Sequence, residues 1–542
     1  MNELVFLPAY QLAQGIRDRA FSSVEVLDAH LAHIAKHNPK LNAIVTLNEA
    51  QARQQAISAD EALARGESWG LLHGVPFTCK DLYATAGVRT TCGYEPLANY
   101  IPPNDATVVA RVRAAGAILL GKTNLPKLSQ GFQTDSKLLG RANNPWNLNY
   151  TPGGSTGGGA AAVAAGLSPL ELGTDGGGSI RIPPHFCGIF GLKPTENRVP
   201  LSGALWEILG TLRWRHQATP GILARSVSDL KLGLSLIEGG DERDWQVPPA
   251  PQETVLPRPL SQCRIAWTDR FGAVSVTAET RSLLQQFVSK LQEAGCYVEY
   301  CHPPNFNFEQ AVETFGEIAG AESLVTSSVI EQLGYQMMSP LVLLTKRRGL
   351  LRGFVKNTGL SLKKYAQALE RRDSFIATMQ SFLTQWDAWI CPVTPGAAFT
   401  HCDVGNGFGA SLPVDNQNLP YWTWGTTYTA VTRLTTNPVV TIPIGKTVLG
   451  LPVGIQLVGQ RWRDMQLLAI AEQITEISGS WEAPFGFTSL STLRDNFVND
   501  NVRQDGSRHP YGFASPLRRE TLLHGWTHRQ LVHHLAFELV GR

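Results

Sequence analysis

Between Tyr150 and Ile180 the chain reads YTPGGSTGGGAAAVAAGLSPLELGTDGGGSI, which sets two serines, Ser155 and Ser179, in beds of glycine. Glycine serves where a backbone must take positive φ or come close to a ligand, and three in succession weaken any helix or strand. Both beds therefore read as parts of a shaped site. Between them the small-residue run Gly157 to Gly166 predicts a tightly packed helix, and Ser168 to Leu172 a short buried strand. Strand, glycine turn and serine at a helix start would leave the Ser179 hydroxyl beside free backbone N–H groups with a helix dipole behind it. That setting suits attack on a carbonyl and capture of the resulting oxyanion.

Ser155 has a claim of its own. Gly153-Gly154-Ser155-Thr156-Gly157 fits G-x-S-x-G, the nucleophile elbow of α/β-hydrolases, which needs a strand before it and a helix after it. Asn147 to Pro152 is instead a polar, proline-bearing loop, so half of that context is missing. Neither serine has an obvious histidine partner, since His185 follows two prolines and needs no role beyond packing. A lysine offers the alternative. Leu72 to Asp81, LHGVPFTCKD, is an apolar strand that ends on Lys80. Either Lys80 is a surface cation paired with Asp81, or it is drawn inward, loses basicity through burial and serves as the base of a Ser-Lys pair.

A second lysine sits in Gly116-Ala117-Ile118-Leu119-Leu120-Gly121-Lys122-Thr123, which matches the phosphate-loop string G-x-x-x-x-G-K-[ST]. The context argues against a nucleotide site, because that motif needs a strand before its first glycine and a flexible loop after it. Here the intervening residues are themselves an apolar strand, and the capped helix predicted over Asp105 to Ala115 comes first. Elsewhere, Ser22-Ser23-Val24-Glu25 is a capping box opening one helix, and Glu49 to Arg65 predicts another, together a helical preamble. Strand Arg264 to Trp267, helix Ala278 to Ala294 and strand Cys296 to Tyr300 form a βαβ-like unit. Val439 to Ile444 and Val453 to Val458 read as strands, and Asp464 to Ile477 as a closing helix. Such alternation predicts an α/β architecture.

Composition excludes several function classes. A formal charge of +2 on 542 residues is too weak to imply nucleic acid, and no zinc-finger, homeodomain or RNP pattern is present. The eight cysteines show no C-x-x-C spacing and read as reduced, packed thiols. No basic, apolar leader opens the chain, and no run reaches the ~18 apolar residues of a membrane span, so a cytoplasmic protein is expected. Met337 to Phe354 reads as an amphipathic basic helix, with a membrane-surface or substrate-entry role as the sharper alternative. Tyr421, Trp422, Trp424 and Tyr428 read as core or as the wall of an acyl or aryl pocket.

Five strings occur in order: GVPFTCKDL from Gly74, GGSTGGGAAAVAAG from Gly153, GTDGGGSIRIP from Gly173, FCGIFGLKP from Phe186 and LPVGIQLVG from Leu451. Jointly they resemble the amidase signature enzymes, over roughly Leu12 to Phe487. The chain is similar to the A subunits of glutamyl-tRNA amidotransferases and to fatty acid amide hydrolases within that family. The resemblance implies an α/β fold with a large mixed central sheet flanked by helices on both sides. It implies an amidase domain over 1–487, preamble included, and a partly helical C-terminal appendage over 488–542. The family's catalytic lysine falls on Lys80, its cis-peptide serine on Ser155 and its nucleophile on Ser179.

On that assignment neutral Lys80 takes a proton by way of Ser155, Ser179 attacks the amide carbon, and water hydrolyses the acyl-enzyme. Backbone N–H groups of Gly176, Gly177, Gly178 and Ser179 would form the oxyanion hole. Asp175 and Arg181 would brace the loop, and Thr156 would support the serine relay. No metal or organic cofactor is implied. The partners implied are a small-molecule amide substrate and no nucleic acid, with a peripheral membrane contact and a homodimer left open. Two departures stand out: Gly176 where the family often has Thr or Ile, and Thr156 where it often has a second serine. The amidotransferase members carry an acid just before an aromatic–Thr pair, whereas Thr426 stands there, before Tyr428-Thr429. The missing acid favours a stand-alone amidase for an apolar acyl or aryl amide. The alternatives are a catalytically idle binding scaffold and a glutamine-dependent amidotransferase A subunit.

Overall fold

A computed structural model describes residues 3–487, apart from 212–213, 217, 252, 256–257, 326, 328–331, 335, 338, 340–341, 343–348, 405–409 and 480. The chain divides into two units, Met1–Thr488 and Ser489–Arg542. The appendage over 488–542 and much of the amphipathic stretch over 337–354 lie outside the described residues. The strands are β1 (Ile44–Leu47), β2 (Pro76–Lys80), β3 (Ile118–Thr123), β4 (Leu170–Asp175), β5 (Phe190–Lys193), β6 (Thr219–Ala224), β7 (Arg264–Trp267), β8 (Arg270–Phe271), β9 (Val274–Ser275), β10 (Tyr297–Tyr300), β11 (Ala388–Pro392), β12 (Ser411–Val414), β13 (Gln417–Pro420), β14 (Val439–Lys446) and β15 (Pro452–Val458). Eleven of them form one sheet in the order β1-β3-β2-β4-β6-β5-β14-β15-β11-β7-β10. β2 runs parallel to β3 and β4, and β7 parallel to β10 and β11. The other neighbours are antiparallel, so the sheet is mixed.

Inside its edge strands β1 and β10 this sheet is buried on both faces, and the two-residue period of a strand shows it. Phe77, Cys79, Leu119, Leu172, Ile222, Ile265, Ile390, Val440 and Leu457 join one core with the helices Thr107–Ala114, Val227–Ile237, Ala278–Glu293 and Asp464–Ser478. Their chain neighbours point the other way. Ile118 and Leu120 pack on the helix Ser23–Leu41, Leu223 on the helix Gly157–Ala164, and Ala266, Trp389, Val439 and Val458 on the helices Phe308–Leu324, Leu362–Leu383 and Tyr421–Leu434. Among the described residues no helix is long and apolar enough to cross a membrane.

A register shift between β2 and β3 decides where several polar side chains go. Phe77 faces Leu119, but Thr78 faces Gly121, so Leu120 is the extra residue of a bulge. After it Lys122 is level with Cys79, on the far side from Lys80, and Thr123 is level with Lys80. Lys122 Nζ meets Tyr83 O at 2.5 Å and Thr85 Oγ1 at 2.6 Å. The phosphate-loop string is therefore a strand whose lysine is already committed. One expectation is corrected: the helix after Asp105 starts at Thr107 with no side-chain cap. Asp105 instead accepts from Ala86 N at 2.7 Å and pairs with Arg113 at 2.9 Å, which removes it from capping.

The capping box is present on the helix Ser23–Leu41, with Ser22 accepting from Glu25 N. The same helix buries three histidines, His30, His33 and His37. His30 Nδ1 faces Val26 O at 2.8 Å, and burial lowers its pKa to about 3. The unfolded chain protonates this histidine near its ordinary value of 6.5, whereas the folded chain holds it neutral. Stability from that neutrality is complete above 6.5 and is lost as pH falls below it. The variant His30→Gln is therefore expected to gain stability relative to wild type as pH falls from 6.5 towards 4, with a limiting slope of about 1.4 kcal/mol per pH unit. Urea unfolding of both proteins across that range checks it; parallel pH curves would contradict it.

Candidate active site

Lys80 ends β2 on the sheet face that carries the glycine-rich helix, fully buried. The surface reading of Lys80 is therefore wrong, because Asp81 looks elsewhere and accepts from Thr91 N and Thr91 Oγ1. Lys80 Nζ lies 2.6 Å from Ser155 Oγ and 3.2 Å from Thr174 Oγ1. Ser155 Oγ lies 2.8 Å from Ser179 Oγ. Three side chains far apart in sequence thus form one line. Burial pulls Lys80 down to about 7, against the opposing charges of Asp175 and Glu171. The Gly154–Ser155 peptide bond is cis.

The loop that carries Ser179 is folded by Asp175, the last residue of β4. One carboxylate oxygen accepts from Gly178 N at 2.8 Å, the other from Ile180 N at 3.0 Å. Arg181 grips the same carboxylate twice, Nη2 at 2.7 Å and Nε at 2.9 Å. Burial disfavours the Asp175 charge, yet Arg181 and the backbone donors hold its carboxyl well below the usual range. The remaining Arg181 nitrogen, Nη1, donates to Thr429 O and Thr432 Oγ1 at 2.7 Å and to Gln456 Oε1 at 2.9 Å. The pair thereby ties the serine loop to the helix Tyr421–Leu434 and to β15.

Two expectations are corrected here. Gly178 N is taken by Asp175, so it is not free to bind an oxyanion. The N–H groups of Gly176, Gly177 and Ser179 donate to no acceptor among the described residues. Gly178 is needed for another reason: its φ is +126°, and a Cβ there would stand 2.8 Å from Ile182 Cδ1. Nor does a helix dipole stand directly behind Ser179, because the following helix begins only at Ile182 and has six residues. Thr156 reaches Thr174 O at 3.4 Å, a long contact that touches the relay only through Thr174. Ser155 is 1% exposed and Ser179 7%, with Gly176 and Gly177 half-buried beside it, so the approach from outside is on the Ser179 side.

The sequence matches the Amidase family over residues 25–468. The chain belongs to that family. The A subunit of the glutamyl-tRNA(Gln) amidotransferase of Psychrobacter cryohalolentis is 32% identical to it over 498 residues, covering 87% of this chain and 96% of the relative. The solved structure of 6-aminohexanoate cyclic dimer hydrolase is 26% identical, with a TM-score of 0.72, and covers 89% of this chain and 99% of that one. An inhibitor-bound chain from a vestigial complex, tied to the origins of an s-triazine catabolic enzyme, is 26% identical with a TM-score of 0.74 over 88% of this chain and 100% of that one. Membership makes the protein an amide-hydrolysing enzyme and sets the idle scaffold aside.

In this amidase the sequence reading missed Thr174, Thr429, Gln456 and Glu171. Gln456 lay inside a string already singled out, LPVGIQLVG, as the lone polar residue of an apolar strand, and that contrast was the available signal. It receives Arg181 and donates to Pro392 O at 2.7 Å. His185 is structural: its Nδ1 accepts from Gly454 N at 2.6 Å, and Nε2 faces Thr394 Oγ1 at 2.9 Å. Breaking a buried pair leaves one charge stranded, at a cost of about 3–5 kcal/mol. Arg181→Met is therefore expected to lower unfolding stability by about that amount, read by urea denaturation. A loss under ~1 kcal/mol would show that the pair does not hold the loop.

Proposed function

We propose that this amidase is a free amide hydrolase working through Lys80, Ser155 and Ser179. The observation that carries the reading is the unbroken line from Lys80 Nζ to Ser155 Oγ at 2.6 Å and on to Ser179 Oγ at 2.8 Å. A neutral lysine has two N–H bonds and one lone pair. With one N–H directed to Thr174 Oγ1, the lone pair is available to the Ser155 proton. Ser179 then gives its proton to Ser155 as Ser155 gives its own to Lys80, and Ser179 Oγ bonds to the amide carbon. The negative oxygen that forms is met by the N–H groups of Gly176, Gly177 and Ser179.

When the tetrahedral species collapses, the C–N bond breaks and the Lys80 proton returns through Ser155 to the leaving nitrogen. Water then attacks the acyl-enzyme along the same relay and releases the acid. The carboxylate of Asp175 keeps the donors aimed, and no proton passes through it. The half-buried Trp422 against Phe132, with ring centroids 5.3 Å apart, and Phe315 facing Gly177 support an apolar acyl or aryl amide as substrate.

The second reading, an amidotransferase A subunit working with glutamine and a partner, draws support from the 32% identical relative of that name. Against it, Thr426 is buried and donates to Trp422 O at 2.6 Å, and it offers no charge to a substrate ammonium. Purified protein is expected to react with a fluorophosphonate probe and to hydrolyse aryl or acyl amides with no added partner. Ser179→Ala should abolish labelling, and Lys80→Ala and Ser155→Ala should each slow hydrolysis by about 10²–10⁴-fold. The rate should rise with pH through about 7 as Lys80 loses its proton. Labelling that survives Ser179→Ala and vanishes in Ser155→Ala would return the nucleophile to the α/β-hydrolase pattern. Hydrolysis of glutamine alone, and only with a partner present, would favour the second reading.

A further inference from the structure

Glu171 lies in β4, on the same face as Thr78 and Lys80, and it is wholly buried. Space for it exists because residue 159, in the first turn of the helix Gly157–Ala164, has no side chain. A Cβ on Gly159 would stand 2.5 Å from Glu171 Cγ, Cδ and Oε1. Thr123, turned to this face by the bulge in β3, donates from Oγ1 to Glu171 Oε1 at 2.6 Å. The other oxygen, Oε2, is sealed from water and meets no donor at good hydrogen-bond geometry among the described residues; the Thr78 hydroxyl, its neighbour on this face, lies 3.4 Å from Leu170 O and also favours the carboxylate. Burying a carboxyl with one oxygen poorly matched costs free energy, and a native protein that keeps such a group calls for a reason.

The surroundings narrow that use. Lys80 is faced by Glu171 and Asp175 from β4 and by Cys92 from the segment beyond β2. Asp175 is already held by Arg181, and burial pushes the thiols of Cys79 and Cys92 up, so both stay uncharged near neutral pH. Asp81 is turned to Thr91. The Tyr83 hydroxyl donates to Gly173 O at 2.8 Å, and Lys122 occupies the opposite side of the sheet. Glu171 is the carboxyl beside Lys80 that no cation holds in an ion pair among the described residues. Burial raises it to about 7, against the hydroxyls of Thr123 and Thr78 and the charges of Lys80 and Lys122.

We propose that Glu171 is a positioning residue of this amidase: buried on the same face of the sheet as Lys80 and held by no cation among the described residues, it acts through space, and its charge sets the pH at which the lysine is free to receive a proton from Ser155. The inference rests on Lys80 as the base. An ionised Glu171 on this face favours the ammonium form of Lys80 and a protonated one favours the free amine, so the two titrations are linked. When Lys80 takes the proton from Ser155, an ionised Glu171 on the same face stabilises the new ammonium through space. Glu171 touches neither serine and acts only through the lysine.

The test is the pH dependence of fluorophosphonate labelling at Ser179, measured for wild type, Glu171→Gln, Glu171→Asp, Gly159→Ala and Lys80→Ala, with thermal unfolding midpoints as the check on folding. Glutamine keeps the volume and the Thr123 contact but cannot carry charge. The acid limb, near 7 in wild type, is expected to move down by on the order of one pH unit in Glu171→Gln. Glu171→Asp should move it back towards wild type, an outcome a purely structural role does not produce. A folded Glu171→Gln that titrates with wild type overturns the inference. Should that variant not fold, Gly159→Ala decides, since its methyl displaces the carboxyl: an unmoved limb overturns the inference and a moved one supports it. Lys80→Ala labelling at the wild-type rate would instead overturn the relay itself.

Discussion

The Asp175–Arg181 pair is the interaction on which the serine loop depends. Two opposite charges taken wholly out of water stabilise nothing unless every donor and acceptor finds a partner. Here they do: Asp175 accepts four bonds, from Gly178 N, Ile180 N and two Arg181 nitrogens. Arg181 directs its remaining nitrogen to Thr429, Thr432 and Gln456. The carboxylate thus fixes the turn, and the guanidinium fixes the turn to the C-terminal half of the sheet. Because Asp175 occupies the Gly178 N–H, the neighbouring N–H groups are left pointing free, and the loop acquires its electropositive lining without any added cation.

A second constraint follows from a sheet buried on both faces. A lysine at the end of a central strand in such a sheet has no route to water, and desolvation disfavours its charged form. The same packing that makes β2 an ordinary core strand pulls the Lys80 pKa down to about 7. Polar groups then gather on that face, Thr78, Lys80, Thr123 and Glu171, and the bulge in β3 selects which of the neighbouring residues joins them. Had the register run on without a shift, Lys122 would have taken that face in place of Thr123, and a second buried ammonium would have faced the first.

Glycine works in two different ways here. Gly178 supplies a backbone conformation at positive φ, whereas Gly159 supplies emptiness, a gap in a helix surface that a carboxyl fills. The cost of a glycine in a helix interior, roughly 0.5–1 kcal/mol against alanine, is offset where the space is used. The aromatic cluster does the reverse and fills space. Tyr421, Trp424 and Tyr428 bury their rings in the core, and the hydroxyl of Tyr421 accepts from Phe132 N and Gln133 N. Trp422 is only half-buried, against Phe132 and Tyr421, so most of what read as a pocket wall is packing.

The sequence by itself determined the elements whose signals are local. The strand-helix alternation, the capping box at Ser22, the apolar run through β2 and the glycine beds around Ser155 and Ser179 were all legible, because periodicity, capping and backbone freedom act within a few residues. So was the α/β class, while the mixed sheet was implied only by the family resemblance. The resemblance of the ordered strings added the grouping of Lys80, Ser155 and Ser179, which no local rule contains. Only the tertiary structure decided what depends on groups far apart in the chain. It showed that Asp81 turns away from Lys80, that Gly178 N is bound to Asp175, and that Gln456 reaches across to Arg181. It also showed that Glu171 is buried on the same face of the sheet as the lysine. Burial, charge and hydrogen-bond satisfaction are properties of the folded surroundings, and a residue's letter does not carry them.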